Sequence, residues 1–268
     1  MNRRSRYREI AQALRTDIDA GVYQPGDLLP SSRDLAEQWA VSRGTITQAL
    51  GQLVDSGLIV AMHGSGHAVT HRNPGAQRPH VMLIGGYAGS GKSELGRIIA
   101  RLTHWPIIDK DTITRPVVEA ALETLGRSYD DRESEEYLRL IRPREYEALT
   151  STIDENIACG TSVIATAPYL REFSDPHWAA RTLAHYNAQG ADTHILWVHC
   201  SPETMQLYLR RRGAGRDSWK LAHWDDYIAG IDTTFTPVLD HTVIVNDPDS
   251  DPLQDQARAF LSRVGVTA

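Results

Sequence analysis

The chain has 268 residues, a length that favours two domains, and 41% of its residues are hydrophobic, which is ample for buried cores. It contains neither an apolar run long enough to cross a bilayer nor a signal peptide, so we expect a soluble, cytoplasmic protein with no membrane partner. The two cysteines, Cys159 and Cys200, lie in unrelated contexts and indicate neither a disulfide framework nor a metal site.

Charge is distributed unevenly along the chain, whose net charge is −6. Residues 1–72 carry 8 arginines and 7 acidic residues, whereas residues 73–268 carry 20 basic and 27 acidic residues. Only the first part can approach a polyanion without an overall electrostatic penalty. Lysine is rare: its 3 positions are 92, 110 and 220, which hints that those segments matter for function.

The first quarter of the chain shows the pattern of three helices followed by a β-hairpin. Apolar residues at helical spacing, together with capping residues, predict helices that begin near Tyr7, Ser31 and Ser42. Two short strands follow at residues 58–61 and 67–70. This order predicts a winged helix-turn-helix of the α+β class.

The stretch from Tyr7 to Val69 resembles the DNA-binding domain of the GntR family of bacterial transcription regulators, most specifically in PGDLLPSSRDLA and VSRGTITQAL. The resemblance implies that this domain binds operator DNA. Because one recognition helix covers only a half-site, we expect a palindromic operator and a homodimer. The residues that the resemblance assigns to DNA are Arg33, Ser42, Arg43, Gly44, Thr45, His63 and Gly64.

Arg43 suits this role physically, because a guanidinium can bond a guanine edge through two hydrogen bonds while hydroxyl groups position the DNA backbone. Gly44 and Thr47 stand where many relatives carry larger polar groups, so the operator sequence is not predictable. The alternative is a winged helix that serves as a protein interface, with Arg33 and Arg43 merely solvated.

After this first domain, residues 1–71, a Pro-, Gly- and polar-rich segment at 72–79 predicts a linker to a second domain, residues 80–268.

In the second domain an apolar run leads into GYAGSGKS, which fits the phosphate-loop pattern G-x-x-x-x-G-K-[ST] and precedes a helical pattern. Lys92 would hold the outer phosphates of ATP, or of another nucleoside triphosphate, and Ser93 would hold Mg²⁺. A chance match in a loop is the alternative. The predicted nucleotide-binding residues are Gly86, Gly89, Ser90, Gly91, Lys92, Ser93 and Glu94.

Strand-like runs separated by helical patterns predict an α/β fold with a parallel sheet and with ligands at the carboxyl ends of its strands. Asp109 and Asp111 follow the second of these strands. We predict that one accepts the proton of an attacking hydroxyl and that Asp109 helps to hold Mg²⁺. The alternative is that Asp111 only caps the next helix. Thr166 stands where many phosphate-loop ATPases place a metal-binding aspartate, which argues against a motor-type ATPase.

An arginine-rich segment, residues 207–220, lies between two helical patterns and suits a lid that closes over phosphates. Arg212 and Arg216 are its candidate catalytic residues, whereas Arg210 fits the alternative, in which arginines stabilise the dipole of the preceding helix. Residues 126–137 form either a substrate-binding insertion or a solvated loop between helices. The candidate substrate residues are Tyr129, Asp130 and Arg132.

Together the segments of the second domain resemble the small-molecule kinases of the phosphate-loop class, the group that includes zeta toxins, chloramphenicol phosphotransferase and gluconate kinase. By that resemblance Asp111 is the catalytic base. The two domains together predict a bacterial transcription regulator whose kinase-like domain binds ATP and Mg²⁺ and senses an unknown small molecule. The alternatives are a metabolite kinase that regulates its own pathway through DNA binding, and a zeta-like toxin acting on nucleotide sugars.

Overall fold

The computed structural model describes residues 3–62, 66–70, 78–213 and 215–267, without the side chains of residues 3–5 and 216. The chain divides into two compact units, Met1–Arg78 and Pro79–Ala268. The predicted wing residues His63 and Gly64, and most of the predicted linker, lie outside the described residues. Within the described ranges, no helix combines the length and the apolar character that a bilayer span requires.

The first unit folds, within residues 3–62 and 66–70, into three helices and an antiparallel hairpin. Its elements are α1 (Arg3–Asp19), α2 (Ser32–Gln38), α3 (Arg43–Asp55), β1 (Ile59–Met62) and β2 (Gly66–Val69). The predicted winged helix-turn-helix is confirmed, although each strand is displaced by one residue from its predicted position. The Ser31 and Ser42 hydroxyls cap α2 and α3, accepting the N–H groups of Asp34 and Thr45.

A single apolar core fixes the orientation of α3. Its inward face contributes Ile46, Ala49, Leu50 and Leu53, all of which are buried against α1 and α2. Burial of each large aliphatic side chain stabilises the fold by about 1.5 to 3 kcal/mol. The first two residues of α3, Arg43 and Gly44, and its opposite face, with Thr47 and Gln48, therefore stay exposed.

The second unit is an α/β fold around a sheet that, within residues 78–213 and 215–267, has five parallel strands. The strands are β3 (His80–Gly86), β4 (Ile107–Asp109), β5 (Val163–Thr166), β6 (Asp192–His199) and β7 (Thr242–Val245). Their order across the sheet is β4-β5-β3-β6-β7. Each of the five strands coincides with an apolar run of the sequence. The predicted parallel sheet is confirmed.

Helices cover both faces of this sheet, which is why its central strands read as continuous apolar runs. The longer helices are α4 (Lys92–Thr103), α5 (Lys110–Thr124), α6 (Arg142–Ala158), α8 (Pro176–Ala188), α9 (Pro202–Arg212) and α12 (Leu253–Arg263). The short ones are α7 (Leu170–Phe173), α10 (Ser218–Ala222) and α11 (Trp224–Ala229), and a π-helical turn, Tyr137–Ile141, leads into α6. Side chains of α4 and α12 pack on one face of the sheet and those of α6 and α8 on the other.

The central strand β3 positions the site. It pairs with β5 on one side and β6 on the other, and Val81 to Ile84 are at most 1% exposed. The chain leaves β3 at its carboxyl end and enters α4 through the loop that carries GYAGSGKS. Because strand connections diverge to the two sides of β3, a crevice opens there, and open α/β sheets bind their ligands in that crevice.

Candidate functional site

The loop between β3 and α4 depends on two glycines in backbone conformations that other residues rarely adopt. Gly89 and Gly91 have φ values of +85° and +96°. A Cβ at Gly89 would lie 2.8 Å from the carbonyl oxygen of Met205, and a Cβ at Gly91 would collide with the side-chain amide of Asn246. Only glycine fits at either position, so the loop presents bare backbone, as a phosphate-binding loop requires.

Asn246, which directly follows β7, supports this loop from behind. Its Nδ2 donates a hydrogen bond of 2.9 Å to the carbonyl oxygen of Ser90, and its side chain is buried. The Ser90 Oγ is also buried and has no hydrogen-bond partner among the described residues. Sequence reasoning missed Asn246, whose only signal was a polar residue at the end of a strand.

The Asp109 carboxylate accepts hydrogen bonds from residues of α4, α5 and β5. Its Oδ2 accepts from the hydroxyls of Ser93, at 2.7 Å, and Thr166, at 2.8 Å. Its Oδ1 accepts the N–H of Thr112 at 3.1 Å, so Asp109 is the cap of α5. The alternative that made Asp111 the cap is therefore wrong: β4 ends at Asp109 and α5 begins directly at Lys110, which places Asp111 inside the helix.

Ser93, Asp109 and Thr166 fit the requirements of Mg²⁺. The fold brings two hydroxyl oxygens and a carboxylate together at the end of the phosphate-binding loop, and these hard oxygen ligands are the ones that Mg²⁺ prefers. Mg²⁺ commonly uses one or two protein groups and completes its shell with water and phosphate oxygens. No cluster of three or more His, Cys, Asp or Glu side chains suited to a metal occurs in the part of the chain that the structure describes.

Two cavities meet at Lys92 and Arg212. The loop cavity, of about 640 Å³, is lined by the phosphate-binding loop, by Asn246 and by residues of α9 and α12 that include Tyr208 and Arg211. The tyrosine cavity, of about 330 Å³, is lined by four tyrosines, Tyr87, Tyr137, Tyr146 and Tyr227, and by charged residues that include Asp111. Lys92 and Arg212 line both cavities. The predicted base, Asp111, lines the tyrosine cavity and not the loop cavity.

All three lysines of the chain, Lys92, Lys110 and Lys220, line the tyrosine cavity. The three lysines, which were singled out because lysine is rare in this sequence, thus lie around one cavity. Lys92 lies at the start of α4, where its Nζ is 3.4 Å from the carbonyl oxygen of Tyr87. Lys220 lies in α10.

A buried network holds Asp111 in place. Lys110, which is 3% exposed, pairs with Glu145 at 2.7 Å and with Asp111 at 3.0 Å. Glu145 also accepts the hydroxyls of Thr114, at 2.9 Å, and Tyr137, at 2.6 Å. Burial, and next the Glu145 carboxylate, raise the pKa of Tyr137 far above its usual value, so its hydroxyl remains a donor. The network joins α5 to α6.

Glu145 was missed by sequence reasoning. It begins a stripe of buried residues on α6 that continues through Leu149, Ile153 and Ile157 at helical spacing. A carboxylate at the head of an apolar stripe was the signal, because a buried acid requires a partner. That partner is Lys110, which stood out in the sequence only as one of the three lysines.

The arginine-rich segment carries one of its two candidate residues into the site. Arg212 is the last residue of α9, and its Nε donates a hydrogen bond of 2.8 Å to the carboxylate of Asp217. Asp217 is only 2% exposed. Arg216 belongs to the 3-10 turn Gly215–Asp217, but its side chain is outside those the structure describes. Arg210 lies in the last turn of α9, as the dipole interpretation expects.

The three candidate substrate residues separate in the structure. Arg132 lines the tyrosine cavity, and Asp130 and Arg132 line a neighbouring cavity of about 620 Å³ together with Trp219. The side chain of Tyr129 is half exposed and lines neither cavity. Only Arg132 therefore lies in the same cavity as Asp111.

The predicted DNA-binding residues that the structure describes lie at the amino-terminal ends of α2 and α3. Arg33, Ser42, Arg43 and Gly44 are exposed. Thr45 is 7% exposed, and its hydroxyl lies 3.0 Å from that of Ser42. Thr45 therefore offers little surface to a nucleic acid and completes the cap of α3 instead.

Comparison with known proteins gives each unit a match. The family model described as "Bacterial regulatory proteins, gntR family" matches residues 6–69, and the one described as "AAA domain" matches residues 81–233. The transcriptional repressor NagR of Bacillus subtilis is 44% identical over 64 residues, which are 24% of this chain and 26% of that protein. The histidine utilization repressor of Klebsiella aerogenes is 42% identical over 60 residues, 22% and 25% of the two chains. This chain thus spans about a quarter of the length of these curated relatives.

A solved structure extends the likeness to most of the chain. A protein of Chloroflexus aurantiacus assigned as a candidate kinase superposes with a TM-score of 0.52 and 15% identity, covering 72% of this chain and all of that one. At this identity the likeness shows the fold alone.

Replacement of Gly91 by alanine tests the loop geometry. The new Cβ would displace Asn246 and remove its bond to Ser90, so we expect affinity for ATP with Mg²⁺ to fall at least about tenfold. Gly126→Ala is the matched control, because Gly126 also has a positive φ, of +71°, but open space around its Cβ position. Both changes strain the backbone by roughly 1 to 2 kcal/mol. Calorimetric titration measures the affinity, and equal affinities of the two variants would contradict the proposed fit.

Proposed function

We propose that this chain, which belongs to the AAA domain family over residues 81–233 and carries a gntR-family domain over residues 6–69, is a DNA-binding transcription regulator. Its second unit binds a nucleoside triphosphate with Mg²⁺ and senses a small molecule. The observation that carries the proposal is the joint presence, on one chain, of an exposed recognition-helix end and a glycine loop that opens on two cavities.

The DNA-binding part of the proposal rests on the exposed start of α3. Arg43 is the first residue of this helix and is exposed, while the Ser42 hydroxyl and the core behind α3 fix the helix end. A guanidinium in this position can read a guanine edge in the major groove. One such helix covers a half-site, so two copies of the chain bind a palindromic operator.

Arg43→Ala tests this role. Loss of the guanidinium should weaken binding to the preferred duplex by about 1 to 3 kcal/mol and relax base preference at one position of each half-site. The control is Arg15→Ala, which removes the same charge from α1. Fluorescence anisotropy with a duplex selected from a random pool gives both affinities. If the two variants bind equally well, α3 does not read the DNA.

The sensing part rests on the phosphate-binding loop. In this proposal Lys92 holds the outer phosphates, and Ser93 and Asp109, which are joined by a hydrogen bond, hold Mg²⁺, which when bound neutralises phosphate charge. A nucleotide or small molecule changes DNA affinity only if it binds two conformations of the protein with different affinity. A coupling of about 1 to 3 kcal/mol is typical of such regulation.

Operator affinity measured with and without ATP and Mg²⁺ tests the sensing role. We expect the nucleotide to change the dissociation constant of the selected duplex by about fivefold or more, in either direction. Lys92→Ala should abolish the change, because it removes the cation that holds the outer phosphates, without altering DNA affinity in the absence of nucleotide. Equal affinities in wild-type protein under all conditions would leave the second unit without a sensing role.

A second candidate function is phosphoryl transfer to a hydroxyl of a small metabolite, and the position of Asp111 favours it. Asp111 lines the tyrosine cavity together with Lys92 and Arg212. A hydroxyl beside Asp111 would give its proton to that carboxylate, while the two cations hold the charge of the transferred group. Lys110 keeps the carboxylate oriented through its 3.0 Å contact, which supports this role.

Asp111→Asn tests catalysis. The amide cannot accept the proton, so turnover of any metabolite phosphorylated by the wild-type protein should fall by about a hundredfold or more. Affinity for ATP should stay within about threefold, since Asp111 does not belong to the loop cavity. The exposed Asp249→Asn is the control. ATP consumption in a metabolite screen is the measurement, and turnover that survives in Asp111→Asn would exclude this carboxylate as the base.

A further inference from the structure

The wall of the tyrosine cavity carries a surplus of positive charge. Among the described residues that line it, the acidic ones are Asp111, Glu133 and Asp217. The basic ones are the three lysines of the chain and four arginines, Arg132, Arg142, Arg171 and Arg212. Cations that face a confined space repel one another unless anions offset them.

Most of these cations already have an acidic partner. The pairs are Lys110 with Glu145, Arg142 with Glu172, Arg212 with Asp217, and, at 3.9 Å, Lys220 with Glu133. Lys92 belongs to the phosphate-binding loop. Arg132 and Arg171 differ from the rest, because neither forms an ion pair with an acid among the residues that the structure describes.

Local structure fixes both of these arginines at the cavity. The guanidinium of Arg132 lies 5.3 Å above the ring of Tyr137, and its Nη1 donates to the carbonyl oxygens of Tyr129 and Asp131. Arg171 lies two residues after Tyr169. Tyr169 is buried and has a strained backbone conformation, with a φ of +53°. Such values are uncommon outside glycine and cluster at functional sites. The strained turn directs the chain from β5 into α7, which puts Arg171 on the cavity wall.

Guanidinium groups bind carboxylates and phosphates through paired, charge-assisted hydrogen bonds. We infer that the small molecule bound in the tyrosine cavity carries a compact anionic group, a phosphate or a carboxylate, and that Arg132 and Arg171 bind that group. The tyrosine rings provide the less polar wall for the remainder of the molecule. A neutral polyol would offer neither guanidinium group a charged partner. The inference rests on the proposed nucleotide-binding function of the same unit and names the chemical class of its second ligand.

Titration of simple anions into nucleotide-loaded protein tests the inference. The protein is first saturated with Mg²⁺ and a non-hydrolysable ATP analogue, which fills the phosphate-binding loop, and is then titrated with inorganic phosphate or, separately, with acetate. We expect the loaded protein to bind at least one of these anions. Tighter binding of phosphate identifies a phosphorylated small molecule, and tighter binding of acetate a carboxylic acid.

The variants Arg132→Gln and Arg171→Gln should each weaken this anion binding by about tenfold or more. Arg181→Gln, which removes an exposed arginine from α8, should leave the affinity within about twofold. The inference is overturned if loaded wild-type protein binds neither anion, or if both cavity variants bind as the wild type does. Failure of the ATP analogue to bind, measured in the first step, would contradict the proposed function instead.

Discussion

The carboxylate of Asp109 joins the phosphate-binding loop, the neighbouring strand and the helix that carries Asp111. Because all strands of the sheet run in parallel, the ends of β4 and β5 and the start of α4 meet at one edge, where Ser93 and Thr166 can donate to the same oxygen. The other oxygen caps α5. The position of the candidate metal ligands and that of the candidate base are therefore set by one side chain, and a change at residue 109 would disturb both.

The two cavities of the second unit share their most important cations. Because Lys92 and Arg212 line both, an anion in one cavity changes the electrostatic potential in the other. At an effective dielectric constant of about 20, two unit charges 4 Å apart still interact by about 4 kcal/mol. Direct electrostatics thus links the proposed nucleotide site to the proposed small-molecule site within this unit. The partner of Arg212, Asp217, is buried, so this ion pair is shielded from solvent on the Asp217 side.

Local signals in the sequence were enough to predict most of the fold. Apolar periodicity located the helices of the first unit and the five strands of the second, and Ser31 and Ser42 marked two helix starts correctly. The glycines of the loop were identifiable because their spacing reflects a backbone requirement. Local patterns failed at the start of α5. Spacing alone could not decide whether Asp109 or Asp111 caps this helix, since that depends on where β4 ends.

Contacts between distant residues were beyond sequence reasoning. Asn246 supports Ser90 across 156 positions of the chain, and Glu145 neutralises Lys110 across 35, and no periodicity connects such pairs. Arg171 was also missed, because its significance comes from the cavity it faces and from the strained turn before it. The proposed class of the second ligand, in contrast to the proposed nucleotide, therefore rests only on the three-dimensional arrangement of charge.

The concentration of every lysine in one cavity has a practical consequence for labelling. Reagents that acylate or reductively methylate primary amines have, apart from the α-amino group, no side-chain targets in this sequence other than Lys92, Lys110 and Lys220. All three face the same enclosed space, and Lys110 is almost inaccessible there. A label on a lysine side chain would consequently report on the tyrosine cavity and, at Lys92, also on the loop cavity, so its uptake would serve as a footprint of whatever occupies them.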